Sequence, residues 1–186
     1  MSRGPQTNPP GKRALVEALF RLMSQKDFSD ITITELIRDA KVARATFYRN
    51  FYTKEDIVKY FLDLLQKELL AQIPEAKKQM VNLENVFEPK IMAKILELSF
   101  SYALKNKFYL VTLYKSGLGD VAQKTLNVFA MNIAVEQNSE IYYRLLFLQG
   151  ASYNLLMQWL VNGANESPYY MAHKLVTYLE RGIIKK

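Results

Sequence analysis

Cysteine is absent from this 186-residue chain. That excludes disulfides and thiolate metal sites, and it accords with a cytoplasmic location. Histidine occurs once, as His173. A two-histidine metal site is therefore out of reach, and a Ser/His/Asp triad has only one possible base. The eighteen carboxylates show no calcium-loop spacing, so neither a metal nor a cofactor is expected. Glycine (7) and proline (6) are scarce, and long stretches carry neither, which favours helices. No run approaches the ~18 apolar residues of a membrane span, so no membrane partner is expected. The segment Met1–Gly11 lacks the apolar centre of a signal peptide, and Ser2 is not a myristoylation glycine.

What is present is a folded composition, 49% hydrophobic and 23% charged. The net charge of +7 is spread unevenly. Residues 1–59 carry eleven Lys/Arg against seven Asp/Glu, more than twice the positive density of the remainder. An anionic partner for the N-terminal part follows as an expectation, although charge by itself decides little.

Met1–Gly11 reads as an arm. Leu15, Leu19 and Leu22 then recur at helical spacing between Lys12 and about Gln25. Thr32-Ile33-Thr34-Glu35 has the form of a capping box, and Ile33, Leu36, Ile37 and Ala40 continue a two-turn helix from it. Only Lys41-Val42 separates this helix from the stretch A-R-A-T-F-Y-R-N-F-Y, residues 43–52. Wound as a helix, that stretch puts Phe47 and Phe51 on one side. Ala45, Tyr48, Arg49 and Tyr52 fall on the other. Guanidinium, phenol and small side chains together suit phosphates and base edges. A solvated face is the alternative on this stretch alone. Its neighbours favour a helix-turn-helix.

Thr53-Lys54-Glu55-Asp56 caps a long helix reaching about Gln72, with Ile57, Phe61, Leu64, Leu65 and Leu69 on its apolar stripe. Further helices are expected from Pro89 to about Lys105, from Phe108 to Tyr114, from an Asp120 cap to about Glu136, from Ser139 to Asn162, and from Ser167-Pro168 to about Arg181. The Ser139–Asn162 segment is apolar on two sides. Such a helix can face the core with one side and a second protomer with the other. Leu145, Leu148, Ser152, Leu155 and Trp159 are the expected dimer contacts. Tyr102, Phe129, Met131, Phe147 and Met157 are candidates for lining an apolar ligand cavity. His173, beside Tyr169 and Tyr170, reads as an ordinary packing residue.

The run from Thr32 to Ile57 resembles the DNA-binding domain of the TetR/AcrR family of bacterial transcriptional regulators. The Thr-capped helix, the Ala-x-Val turn, Thr-Phe-Tyr-x-x-Phe and Lys-Glu-Asp-Ile carry the likeness over about 45 residues from Lys12. L-M-Q-W-L-V-N-G-A-N-E-S-P near the C-terminus resembles the end of some members. The resemblance implies an all-α homodimer. Residues 1–53 would form a three-helix DNA-binding domain, and residues 54–186 a bundle of about six helices for effector binding and dimerisation.

Carried over by position, Thr32 and Thr34 would start the supporting helix against the DNA backbone. Ala43, Arg44, Ala45, Thr46, Arg49 and Asn50 would enter the major groove, and Tyr48 and Lys54 would hold phosphates. The implied function is a ligand-responsive repressor of double-stranded operator DNA, not an enzyme. Two residues depart from the pattern. Lys41 stands in place of the turn glycine, and Ala43 in place of a Ser-type cap. They leave open a co-regulator acting through a partner protein, as for relatives linked to dihydroxyacetone metabolism. A helical enzyme is the third reading.

Overall fold

The computed structural model describes residues 10–72, 86–125 and 139–182. Among them every regular element is helical, and no helix is long and apolar enough to cross a membrane. The expected helix to about Glu136, with Phe129 and Met131 on it, lies outside the described residues beyond position 125.

The first helix, α1, spans Pro10–Met23. It begins two residues before the expected Lys12, because Pro10 can occupy a first helical turn without losing a hydrogen bond. A 3-10 turn at Phe28–Asp30 follows. Next come α2 (Ile33–Ala40), α3 (Arg44–Asn50) and α4 (Lys54–Ala71). The remaining helices are α5 (Pro89–Lys105), α6 (Lys107–Lys115), α7 (described over 119–125), α8 (Ser139–Val161) and α9 (Pro168–Arg181). The α7 helix already begins at 119, so Asp120 lies within its first turn instead of capping it.

The chain forms two compact units. One contains residues up to Lys67 together with Phe108–Thr125; the other contains Glu68–Lys107 and the residues from Leu126 onward. In the first unit Leu15, Leu19 and Phe20 of α1, Leu36 of α2, Phe47 of α3 and Phe61 of α4 are fully buried. Each fully buried side chain of this size contributes roughly 1.5–3 kcal/mol. Tyr109 of α6 inserts between Phe20 and Phe61, at ring distances of 4.9 and 5.0 Å, while those two phenylalanines lie 4.7 Å apart. This triangle ties residues 108–125 to the N-terminal helices.

In the second unit α9 packs along α5, and α8 also touches α5. Trp159 of α8 meets Phe100 of α5 edge-on at 5.4 Å. Asn106 is buried and donates its side-chain amide to the Tyr102 carbonyl, which ends α5 cleanly. Ser167 accepts the Tyr170 amide at 3.1 Å and Pro168 follows it, so α9 starts with the expected cap. His173 stacks on Tyr169 with ring centres 3.9 Å apart, a local packing role.

Candidate nucleic-acid interface

The positioning of α3 begins with α2. Thr32 accepts the Glu35 amide at 3.2 Å. The Glu35 carboxylate is held below its usual range by the Lys26 ammonium and, more weakly, by the Thr32 backbone amide. Lys26 and Glu35 thereby clamp the 3-10 turn to α2. Arg21 of α1 adds a second clamp, donating to Asp39 of α2 through two nitrogens at 2.8 and 3.1 Å. Leu36 and Ala40 face the core below these ion pairs.

Lys41 ends α2 in the left-handed conformation, φ 54° and ψ 41°. Its amide donates to Arg38 O and the Val42 amide to Ile37 O, a Schellman closure that normally selects glycine. The chain then reverses through Val42 into α3. Ala43 occupies the cap position with extended backbone and no side-chain hydrogen bond. The α3 helix is held instead from beneath, by buried Phe47 and by Phe51, whose rings lie 6.4 Å apart.

With those rings inward, Ala43, Arg44, Ala45, Tyr48, Arg49 and Tyr52 are exposed. Arg44 donates to the Tyr48 hydroxyl at 3.3 Å and covers its ring. Arg49 has no hydrogen-bond or ion-pair partner among the described residues. Tyr52 is the most exposed large apolar residue described, at 82%. Thr32 and Thr34 are exposed at the start of α2. Thr46 is half-buried and Asn50 donates back to the Thr46 carbonyl at 2.7 Å, so both sit at the margin of the outward face.

Lys54, the expected phosphate contact, is engaged within the protein. Its ammonium donates to the carbonyls of Phe28, Ser29 (3.0 Å) and Ile31 (3.0 Å), and it lies over the Phe28 ring. All three of its protons are engaged within the protein, so its charge closes the 3-10 turn onto α4. The Thr53 cap behind it is reciprocal. Asp56 accepts the Thr53 and Tyr52 amides at 2.9 and 3.1 Å, and the Thr53 hydroxyl accepts the Asp56 amide at 3.2 Å.

Gly11 is a positioning residue that helical spacing does not reveal. A Cβ there would lie 3.0 Å from Cγ2 of Thr46, so its hydrogen lets α1 approach the middle of α3. Lys12 beside it reaches over Tyr60, 4.5 Å from the ring centre. A glycine and a lysine opening an apolar-periodic helix were the available signals.

Two short helices, a tight left-handed turn and an outward cationic-aromatic face define a helix-turn-helix protein of the DNA-binding class. Residues 10–61 match the family model "Bacterial regulatory proteins, tetR family". The chain thus carries, over residues 10–61, the N-terminal domain that this family model describes. Nothing among the curated proteins matches the chain. A solved structure, that of fatty acid degradation regulator FadR from Bacillus halodurans, is similar with a TM-score of 0.63 at 12% identity. The match covers 97% of this chain and 100% of that one, a likeness in fold.

The other expected contacts divide by burial. Tyr102 and Met157 are buried in the second unit, and the Tyr102 hydroxyl donates to Glu68 at 2.8 Å. Phe147 is 63% exposed, which removes it from an interior cavity wall. Leu145, Leu148, Ser152 and Leu155 are half-buried. Trp159 is 4% exposed against Phe100, so it belongs to the protomer's own core and has no ring face left for a second chain. The outward stripe of α8 instead runs through Tyr143, Phe147 and Asn154. Of the five expected contacts, Trp159 alone is buried within the protomer.

Proposed function

We propose that the chain is a dimeric, ligand-responsive repressor of the cytoplasm that binds operator DNA through α3. The observation that carries this reading is the unpartnered Arg49 guanidinium, beside Tyr48 and Arg44, on a helix anchored by two buried phenylalanines. Ala43, Arg44, Ala45, Thr46, Arg49 and Asn50 face the major groove in this reading, and Tyr48 with Thr32 and Thr34 meets the backbone. Residues 54–186 hold the effector and the second protomer. Exposed Tyr143 and Phe147 on α8, with Tyr169, Tyr170 and Tyr178 on α9, supply an apolar surface for that protomer. Two α3 helices would then occupy half-sites about one turn of DNA apart, ~34–36 Å. An effector would act by moving α4, which begins directly after α3. No catalytic role is assigned to any residue.

A gel-shift with the DNA upstream of the chain's own operon tests the reading. Arg49→Ala should weaken binding by about 1–3 kcal/mol if the guanidinium reads a base. Tyr48→Phe should weaken it less and uniformly across sequences. No retarded band with any genomic fragment at low salt would refute DNA binding by this chain alone. A monomer in light scattering at micromolar concentration would refute the dimer.

Uncapped Ala43 and the internally engaged Lys54 and Asn50 favour a second reading, a co-regulator that binds DNA only beside a partner protein. A retarded band that appears only after the partner is added would support it.

A further inference from the structure

Among the described residues, two that are not glycine have positive φ: Lys41 at 54° and Ala164 at 59°. Ala164 follows α8 with its amide on Trp159 O and has no functional group on its side chain. Such a helix ending can thus be carried for its own sake, and strain alone marks no site. Lys41 differs in the charge it bears, in where it stands and in what it does not touch.

Four lysines lie between residues 10 and 54. Lys12 covers the Tyr60 ring, Lys26 is paired with Glu35, and Lys54 donates to three carbonyls. Lys41 is exposed, and its ammonium has no hydrogen-bond, ion-pair or ring partner among the described residues. Nor do its surroundings offer a free carboxylate. Lys41 joins α2 to α3, and α1 packs on both. These three helices hold three carboxylates, Glu17, Glu35 and Asp39, and Arg13, Lys26 and Arg21 occupy them. On α4, Asp56 is taken by the Thr53 and Tyr52 amides.

The backbone of Lys41 is fixed while its ammonium is free. Its amide and that of Val42 close α2 onto Arg38 O and Ile37 O. Two Cα steps of ~3.8 Å each separate it from Ala43, the first exposed residue of the outward face of α3. The next cations along the chain are Arg44 and Arg49 of that face. A lysine at a turn that selects glycine therefore sets an unpaired positive charge at the entrance to α3. A compact ammonium on a flexible stem suits a phosphate, which it meets as a point charge and without reading a base.

We propose that Lys41 is a phosphate contact of the helix-turn-helix, its ammonium holding the DNA backbone beside the entrance to α3. This rests on the reading of α3 as the DNA-binding helix and adds a contact to that site.

The experiment measures fluorescence anisotropy of the full chain with two labelled duplexes, one from upstream of its own operon and one of scrambled sequence, between about 50 and 200 mM salt. Lys41→Gln keeps the strained backbone and removes the charge. Lys41→Gly removes both, and Lys41→Arg keeps both. The glutamine and glycine variants should each lose about 0.9 from the salt slope per bound protomer and bind about 5- to 15-fold more weakly, most at low salt. The loss should be equal on the two duplexes, since a phosphate carries no sequence. Lys41→Arg should keep the native slope. Lys41→Gly should melt no lower than the native chain, so its weaker binding would not reflect unfolding.

An unchanged slope in Lys41→Gln would overturn the proposal. So would a loss in Lys41→Gly without one in Lys41→Gln, which would assign the effect to the turn instead of the charge, or a loss confined to the upstream duplex. Each of these leaves DNA binding by the native chain intact. A native chain that binds neither duplex would instead remove the DNA reading and this contact together.

Discussion

Replacing Lys41 with glycine should stabilise the protein and sharpen the approach to α3. Lys41 sits at φ 54° with its side chain in solvent and without a hydrogen bond or ion pair among the described residues. The left-handed conformation costs an L-residue roughly 1–2 kcal/mol. Glycine removes that cost but gives the unfolded chain extra freedom worth about 0.5–1 kcal/mol. The net gain lies between about 0 and 1.5 kcal/mol, up to ~3–6 °C in melting midpoint for a chain of this length.

Lys41→Ala is the control, since it removes the same charge and keeps the Cβ. The difference between the two variants isolates the backbone contribution from the loss of one cation. The end of α6 provides an internal reference. There Gly117, at φ 74°, makes the same closure, with its amide on Tyr114 O and the Leu118 amide on Leu113 O. Gly117→Ala should therefore lose about 1 kcal/mol. Urea unfolding followed by circular dichroism measures all three. A Lys41→Gly chain no more stable than Lys41→Ala would refute the assignment of strain to this turn.

Lys54→Met should destabilise the protein by about 1.5–3 kcal/mol, since three carbonyls lose a charged donor. The salt slope of DNA binding should not change. A slope reduced by about 0.9 would restore Lys54 as a phosphate contact. Acid should also unlock the clamps around α2 and α4. Glu35 is held below its ordinary 4.5, chiefly by Lys26. Asp56 is held below its ordinary 3.8, chiefly by the Thr53 amide. Both carboxyls are thus harder to protonate folded than unfolded. Their contribution is present above those ordinary values and fades as the pH falls below them. The chain carrying Glu35→Gln and Asp56→Asn should lose less midpoint between pH 6 and 3 than the native chain; an identical decline would remove both groups from the acid transition.

Much of the local structure was legible because it is written in short-range chemistry. Thr32 and Glu35, Thr53 and Asp56, and Ser167 and Pro168 lie within one turn of each other, so their caps need no tertiary information. The inward Phe47 and Phe51 followed from helical spacing. What was not legible depends on contacts that lie far away in sequence or on which side of a helix packs. Lys54 appeared available to a phosphate because its carbonyl partners are 23 to 26 residues upstream. Trp159 appeared available to a second protomer because Phe100 lies 59 positions before it. Phe147 appeared interior because a residue's apolar character does not say which side of α8 meets α5.

By itself, the sequence determined an all-helical chain without disulfide or thiolate chemistry, a helix-turn-helix near its beginning, and a recognition helix whose two sides differ in chemistry. These depend on residue types and on periods of three to four residues. Only the tertiary structure decided which cations are free. Arg21, Lys26 and Lys54 are drawn into ion pairs and carbonyls that brace α2, while Arg49 is left facing outward. A charge is committed by the geometry of its partners, and that geometry exists only once α1, α2 and α4 have packed.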